Sequence, residues 1–559
     1  MKGRKHLVFF ISLILGVVVL QYSIFTPNSV CARSFRTSIP TVVDPGYEVQ
    51  ILIPGCNFHG IHGITFDNQD NLYAGSVVGQ STYHVDTNTG DVKVFIGPPN
   101  GMADDLEFGP DGRVYYTSFL LGKLHCKGAD GKAVVLAEGL PGINSLAFNK
   151  EGRLFATQVF MGDALYEIDL TGGKKTRKIA DPLGGLNGFD FGPDNKLYGP
   201  LWFKKVIARV DVETGQVETI ATGFKTPAAV NFDSKGNLYV VDTAAGEVIQ
   251  VDVKTGQKTL IAKVHPAIDN LAVDSKDRIF ITNMARNGIY EIDKKTGKAR
   301  TVVEGKLSCA NGVAVSTGQD GDTLYLANVF SYAVADGFTG EISYLAGAHA
   351  EGLQIHYPVT VSVHGNEVLL IGTSTGTVQI IDRLTNQEKT TFHRFKSPGH
   401  ALMMDDGSLL VTEMDTGKII NARGKRGRER KVIAEGLASP AYLAMDGNEV
   451  VYVTEMVKGA VTRVNLASGE KKTIASGLRV PAGIAVLPDG KLVVVEVGTR
   501  QLVKINPSSG TVTPMVTNLA VGFPPGGPPA LMPGVAASKS GAIYVAGDIE
   551  NVIYKITPK

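Results

Sequence analysis

A unit of about forty residues recurs along the chain, and this repeat limits the fold more than any other feature. Each copy joins a short apolar strand, a polar turn rich in Asp, Gly and Asn, and a second apolar strand, as in Gly63–Ala74 and Gly188–Gly199. The first strand of the copies begins near residues 63, 105, 145, 188, 229, 270, 312, 358, 401, 442, 483 and 534. With 65 glycines and one tryptophan, the chain has the composition of an all-β fold with many turns.

Each copy continues with two further strands. Glu247–Asp252 and Gln257–Ile261 are apolar-polar runs joined by a turn of the form Asp-x-x-Thr-Gly, which also occurs at residues 86–90, 211–215 and 293–297. Four antiparallel strands in about forty residues make the blade of a β-propeller. A single blade cannot bury both of its faces, so blades must pack side by side around an axis until the ring closes.

The two ends of the chain suggest how twelve blades divide. The last copy lacks an outer strand, whereas Tyr47–Ile53 is an outer-type strand that precedes the first copy. Two rings close if Tyr47–Ile53 completes blade 6 and Ala299–Glu304 completes blade 12. The sequence therefore predicts two tandem six-bladed β-propellers of four-stranded antiparallel blades, at residues 47–297 and 298–559, after a linker at residues 33–46.

The N-terminus has the form of an export signal. Lys2, Arg4 and Lys5 precede an uninterrupted apolar run, Leu7–Leu20, and Ala32 ends a stretch suited to signal-peptidase cleavage. We expect removal of residues 1–32 and a periplasmic or extracellular protein that no longer contacts the membrane. The alternative is an uncleaved membrane anchor extended to Phe25.

The charge balance limits the possible binding partners of the chain, and the cysteine content limits its possible disulfides. The 55 Lys and Arg residues balance 54 Asp and Glu residues, so no electrostatic footprint for nucleic acid is present. Cys56, Cys126 and Cys309 follow the signal. In an exported protein they allow one disulfide and one remaining thiol, and the sequence does not choose the pair.

In a propeller, the residues just before each channel strand meet on one rim around the axis. Four of the six such positions in the first ring offer hard oxygen ligands, which Ca²⁺ requires. The six positions are His62, Asp104, Asn144, Asn187, Ala228 and Asp269. The second ring presents little carboxylate, with Asn311, Tyr357, His400, Ala441, Ala482 and Pro533 at these positions. The plainer interpretation is that the Asn and Asp residues only cap tight turns.

The blades resemble the NHL-type and gluconolactonase/senescence-marker-protein superfamily of propellers, whose relatives include paraoxonase-type lactonases and streptogramin lyases. The motifs that carry this resemblance are Leu186–Phe189, Ile268–Asp274, Ala310–Val313, Val411–Met414 and Val453–Met456. The resemblance implies one divalent cation on the axis, held by Asn and Asp residues.

By position, that resemblance assigns the cation to Asn144, Asn187 and Asp269, with Asn270 adding an oxygen. The chain departs from the family at the blade 1 position, where a Glu ligand is common and His62 stands instead. An imidazole beside a cation can take a proton from water, so His62 is the candidate general base. The alternative is an ordinary polar residue at the mouth of the channel.

Two other features are weaker. Gly372–Gly376 fits the pattern G-x-S-x-G, but another strand follows it instead of the helix that a nucleophile elbow needs. Glu413, Glu455 and Glu496 end the second strands of three blades, and they either form an acidic site or bind backbone amides of neighbouring blades.

The sequence thus favours an exported metal-dependent hydrolase of the lactonase or esterase type that acts on a small molecule. The expected cation is Ca²⁺. A lyase that uses the same cation and base is a close variant. A non-catalytic binding or scaffold propeller, with the second ring docking a protein partner, is the alternative from another class.

Overall fold

The computed structural model describes residues 39–56, 58–128, 131–171, 176–523 and 532–559. They form two compact units. The first consists of Phe58–Gly305 together with the short segment His349–Gly352, and the second contains the remaining described residues. The proposed signal, residues 1–32, lies outside the described part. Within that part, no helix is long and apolar enough to cross a membrane.

The first unit contains six four-stranded antiparallel sheets, each built from four strands that are consecutive in the chain. With strands numbered along the chain, they are β3 (Ile64–Phe66), β4 (Leu72–Ser76), β5 (Ser81–Val85), β6 (Val92–Ile96), β7 (Leu106–Phe108), β8 (Val114–Ser118), β9 (Lys123–Lys127), β10 (Ala133–Ala137), β11 (Ile143–Phe148), β12 (Leu154–Gln158), β13 (Ala164–Ile168), β14 (Thr176–Ala180), β15 (Asp190–Phe191), β16 (Leu197–Leu201), β17 (Val206–Val210), β18 (Val217–Ala221), β19 (Pro227–Phe232), β20 (Leu238–Asp242), β21 (Glu247–Val251), β22 (Lys258–Lys263), β23 (Ile268–Val273), β24 (Ile279–Asn283), β25 (Gly288–Ile292) and β26 (Ala299–Glu304).

The second unit also contains six sheets among its described residues. Its strands are β1 (Thr41–Val42), β2 (Tyr47–Ile53), β27 (Gly312–Gly318), β28 (Gly321–Ala327), β29 (Ser331–Asp336), β30 (Ile342–Gly347), β31 (Thr360–His364), β32 (Glu367–Gly372), β33 (Thr377–Asp382), β34 (Gln387–Phe392), β35 (Pro398–Met403), β36 (Leu409–Glu413), β37 (Lys418–Arg423), β38 (Glu429–Ala434), β39 (Pro440–Asp446), β40 (Val450–Glu455), β41 (Ala460–Asn465), β42 (Lys471–Ser476), β43 (Pro481–Val486), β44 (Leu492–Glu496), β45 (Gln501–Ile505), β46 (Val512–Thr517), β47 (Val535–Ala537), β48 (Ile543–Gly547) and β49 (Val552–Pro558). Short 3₁₀ turns occur at Phe119–Leu121, Lys425–Gly427 and Val497–Thr499.

The predicted exchange of outer strands is wrong. Tyr47–Ile53 pairs antiparallel with β49 and completes the last sheet of the second unit, not blade 6. Ala299–Glu304 pairs with β25 and completes the sixth sheet of the first unit, not blade 12. The tight turn at Asp293–Gly297 returns the chain directly onto β25, so the local hairpin forms. The first unit accordingly ends at Gly305 and not at Gly297, and residues 47–53 belong to the second unit.

The first strands of the six sheets in each unit form a closed series. In the first unit, β3 lies beside β7, the contacts continue through β11, β15, β19 and β23, and β23 returns to β3. In the second unit the same order runs from β27 through β31, β35, β39, β43 and β47 and returns to β27. The N-terminal ends of these strands therefore surround one axis in each unit.

The core lies between adjacent sheets. Tyr115 and Leu124 of one sheet pack with Leu146, Leu154 and Tyr166 of the next. The second strand of each sheet is buried on both faces and reads as a continuous apolar run, whereas the fourth strand is largely exposed and reads as polar. The Gly372–Gly376 motif lies in the turn between β32 and β33, as predicted, so it forms no nucleophile elbow.

Candidate functional site

The rim residues of the first unit lie where the chain enters the strands around the axis. His62, Asp104 and Asn187 precede β3, β7 and β15, while Asn144 and Asp269 are the second residues of β11 and β23. The residues at the start of the first strand lie at the same end of the unit in neighbouring sheets. Residues from five sheets that are far apart in sequence are thereby brought to one end of the axis.

His62 lies between two carboxylates. Its Nδ1 is 2.9 Å from Oδ2 of Asp269 and 3.8 Å from Oδ1 of Asp104. The backbone carbonyl of His62 accepts a hydrogen bond from Oγ1 of Thr282 at 2.6 Å, which fixes the start of β3 against β24. The side chains of Asp104 and Asp269 keep 15% and 17% of their surface exposed, so the pair is reachable from solvent.

Amide side chains continue the network around the rim. Asn144 Nδ2 donates to Asp104 Oδ2 at 2.5 Å, and Ser145 Oγ donates to Asn144 Oδ1 at 2.8 Å. Ser145 Oγ also lies 3.4 Å from Oδ1 of Asn187. The amide oxygens of Asn144 and Asn187 therefore share one hydroxyl, and the network is continuous from Asn187 to Asp269.

Asn270 belongs to a second tier, one residue further along the channel strands. Its Nδ2 lies 3.4 Å from Oδ1 of Asp105, and its Oδ1 accepts the amide of Leu271. Asp105 also accepts the amide of Leu106 at 3.0 Å. Sequence reasoning selected Asn270 but missed Asp105, although the adjacent pair Asp104-Asp105 was a readable signal.

Three carboxyl groups in β7 and just before it resist ionisation. Burial raises the pKa of Asp104 to about 7 against the opposing charge of His62. Burial and the adjacent charge of Asp104 raise the pKa of Asp105 to about 8. In β7 itself, burial raises the pKa of Glu107 well above its usual range. These carboxyl groups are thus buried close together with little positive charge nearby, which favours their neutral forms.

Two imidazoles at this rim are shifted in opposite directions. Burial alone would lower the pKa of His62, but the hydrogen bond to Asp269 and the charges of Asp269 and Asp104 raise it. Burial lowers the pKa of His349, whose proton affinity also responds to the charges of Asp269 and His62. His349 therefore lies close enough to the rim to interact with it electrostatically.

Aromatic side chains hold His349 in place. Its ring lies nearly parallel to that of Phe160, at 6.3 Å and 22°, and meets the edge of Trp202 at 5.1 Å and 89°. The amide of Glu351 donates to the carbonyl of Ala244 at 3.1 Å and fixes the same segment. Sequence reasoning missed His349 because nothing in the repeat assigns residues 349–352 to the first unit.

The donor set is of the kind that a hard cation accepts. Carboxylates of Asp104 and Asp269 and amide oxygens of Asn144 and Asn187 are all oxygen ligands. Among the described residues, no three His, Cys, Asp or Glu side chains are grouped as a metal centre. A cation at this rim would therefore be held partly by the asparagine amides.

Two of the six corresponding positions of the second unit, Asn311 and His400, make internal contacts. Asn311 Oδ1 accepts the amide of Met532 at 2.9 Å. His400 is buried against Tyr442, with ring centroids 4.7 Å apart, and burial lowers its pKa to about 4. These two side chains thus stabilise the second unit.

The three glutamates that end second strands bind backbone amides. Glu413, Glu455 and Glu496 accept the amides of Lys396, Ala438 and Arg479 at 3.0, 2.8 and 2.6 Å. These amides belong to the connection that leads into the same sheet, not to a neighbouring blade. The three carboxylates thus fix the connections between sheets, which favours the structural interpretation.

Comparisons with known proteins are consistent with this fold. Residues 204–331 match the family model of the SMP-30/gluconolactonase/LRE-like region, and residues 131–267 match a repeat of unknown function, DUF6923. No curated protein sequence matches the chain. The chain thus contains a region that is similar to the SMP-30/gluconolactonase/LRE-like family.

Solved structures similar to the chain share little sequence with it. Virginiamycin B lyase from Staphylococcus aureus is 16% identical over 50% of this chain and 95% of its own, with a TM-score of 0.38. A gluconolactonase from Xanthomonas campestris is 17% identical over 48% of this chain and 98% of its own, with a TM-score of 0.38. The extracellular domain of BT4673 from B. thetaiotaomicron is 12% identical over 91% and 82%, with a TM-score of 0.34.

Proposed function

We propose that the first unit is a hydrolase of the lactonase or esterase type that uses a divalent cation, with its site at the rim. The observation that carries the proposal is the continuous network in which Asp104 and Asp269 flank His62 and asparagine amides extend the set to Asn187. Such a network joins oxygen ligands to an imidazole whose pKa the two carboxylates raise against the effect of burial. The match of residues 204–331 to a gluconolactonase-like model supports the reaction class.

The cation that fits this donor set best is Ca²⁺. Asp104, Asn144, Asn187 and Asp269 would hold it, with Asn270 and Asp105 in the tier beneath. The raised pKa of Asp104 supports the proposal, because buried carboxyls without enough positive charge are stabilised by a cation. When bound, the cation would polarise the ester carbonyl of the substrate.

The chain itself supplies the proton transfers. Because Nδ1 of His62 bonds Asp269, we assign proton exchange with the substrate to Nε2, which is buried. Asp269 orients the ring and stabilises its charged form. His349, whose pKa is lowered by burial, adds a neutral imidazole beside the same rim.

The proposal includes the architecture around this site. Six sheets whose first strands close on themselves support a six-bladed propeller in each unit. We further propose that the protein is exported after loss of residues 1–32. The internal bonds of Asn311 and His400 support a binding or structural role for the second unit.

The test uses the purified mature protein with a panel of γ- and δ-lactones and aryl esters, with chelator or with added Ca²⁺. We expect cation-dependent hydrolysis of at least one substrate, and a loss of at least about a hundredfold in kcat/KM in His62→Ala. His364→Ala changes an exposed histidine of the second unit and is the matched control. Elimination products instead of hydrolysis products would favour the lyase variant, and inactivity in every condition would favour the scaffold.

A further inference from the structure

Two cysteines of the second unit lie at its point of closure. Cys56 follows β2, the N-terminal strand that completes the last sheet, and Cys309 precedes β27, the first strand of the first sheet. Cys309 is fully buried, and Cys56 is partly exposed. The two residues are about 250 positions apart in sequence, yet the closed order of sheets brings both to the junction between the last sheet and the first.

One side chain joins the two cysteine segments. Asn551, in the turn between β48 and β49, donates from Nδ2 to the carbonyl of Cys56 at 3.5 Å. Its Oδ1 accepts the amide of Ala310, the residue after Cys309, at 3.0 Å. A single amide group thus spans the distance between the backbones of the two cysteines.

Close packing holds the Cys56 segment in that position. A Cβ at Gly55 would lie 1.6 Å from the carbonyl oxygen of Glu550, so only glycine allows the chain to pass this close to the β48–β49 turn. Electrostatics agree with the geometry, because the pKa of Cys309 is raised by burial and further by the charges of Asp548 and Cys56. Cys126, in contrast, lies in β9 of the first unit.

We propose that Cys56 and Cys309 form a disulfide that fastens the closing strand of the second unit, leaving Cys126 as a thiol. The two thiols lose two protons and two electrons as the S–S bond forms. A disulfide oxidant, such as glutathione disulfide or an oxidised dithiol oxidoreductase, accepts them as its own S–S bond breaks into two thiols. The bond would link the segment after β2 to the segment before β27, which otherwise share hydrogen bonds to Asn551 and an apolar core. It would also close a long loop in the unfolded chain.

The experiment is refolding of the full mature chain from the reduced, unfolded state in a glutathione redox buffer. When the folded product is denatured without reductant, we expect one alkylatable thiol, at Cys126, where the reduced protein has three. Peptide mapping without reduction should recover the Cys56 and Cys309 peptides linked, with a mass about 2 Da below their sum, which is the loss of two hydrogens in the S–S bond. Reductant should then lower the Tm of the second unit.

Serine variants separate this pairing from others. Cys126→Ser should keep the linked peptide and the reductant-dependent fall in Tm. Cys56→Ser and Cys309→Ser should each abolish the linked peptide and the reductant-dependent fall in Tm. If the buried position of Cys309 does not tolerate serine, Cys56→Ser by itself is the test. A linked peptide that contains Cys126, or three alkylatable thiols after the oxidised protein is denatured without reductant, would overturn the proposal.

Discussion

Replacing Asp105 by asparagine should stabilise the cation-free protein, and only at high pH. Asp105 is buried beside Asp104, and its pKa rises from the usual 3.8 to about 8 on folding. Between these pH values the folded state keeps a proton that the unfolded state has released. The free energy of unfolding therefore falls as pH rises through this window. Asparagine keeps the acceptor for the amide of Leu106 and has no charge to lose.

The shift of about four pH units sets an upper limit of about 5 kcal/mol at pH 8, at 1.36 kcal/mol per unit. Asp104 titrates in the same pH range, so part of this pH dependence belongs to Asp104. We therefore expect the Asp105→Asn variant to gain about 2 kcal/mol in its free energy of unfolding at pH 8 and almost none at pH 4. Urea unfolding of the Asp105→Asn variant and wild type in chelator, from pH 4 to 8, measures it. Asp91→Asn changes an exposed carboxylate of the same unit and should show no such trend. A gain that is independent of pH, or largest at low pH, would refute the reasoning.

Three further predictions concern other parts of the chain. His349→Ala should lower kcat about tenfold or more and leave cation binding unchanged, and free imidazole should restore part of the rate if the ring transfers protons. Glu455→Gln should cost about 1–3 kcal/mol of stability, measured by urea unfolding, because one oxygen of the buried carboxylate accepts the amide of Ala438 while the other accepts Lys458 and Thr462, and glutamine has only one acceptor oxygen. Removing residues up to Ile53 should lower the Tm of the second unit but not of the first, as seen by calorimetry, because β2 pairs only within the second unit.

The fold was readable from the sequence to the level of the sheet. The starts of the first strands, from Ile64 to Val535, fall close to the positions that the repeat predicts, because apolar runs and Asp-Gly turns are local signals. The partner of Tyr47–Ile53 was predicted wrongly, although the sequence carried a signal for it. The last copy is the one that lacks its own fourth strand, and Tyr47–Ile53 completes that sheet.

The candidate site was also predictable only in part. Five rim residues share one repeat position, so periodicity alone predicts that they meet at one rim. Their contacts follow from closure of the series of first strands. The five residues are His62, Asp104, Asn144, Asn187 and Asp269. The residue at the fifth rim position, Ala228, has no side-chain oxygen, so the sequence predicts no ligand at this position of the rim.

His349 could not be found in this way. It lies outside the repeat, in a segment whose place in the first unit depends on packing against Phe160 and Trp202. Its role depends on three-dimensional contacts between residues far apart in sequence, and no periodic pattern carries that information.

Thermal unfolding with and without Ca²⁺ measures cation binding at the rim, because a ligand stabilises only the state that binds it. At a Ca²⁺ concentration a hundredfold above Kd, the gain is about 2.7 kcal/mol, which corresponds to a rise in Tm of about 5–10 °C for a unit of this size. We expect this rise for wild type and for Asn311→Ala, the matched position of the second unit, and its loss in Asp269→Ala. No rise in wild type, or an equal loss in both variants, would contradict the cation site and with it the proposed hydrolase.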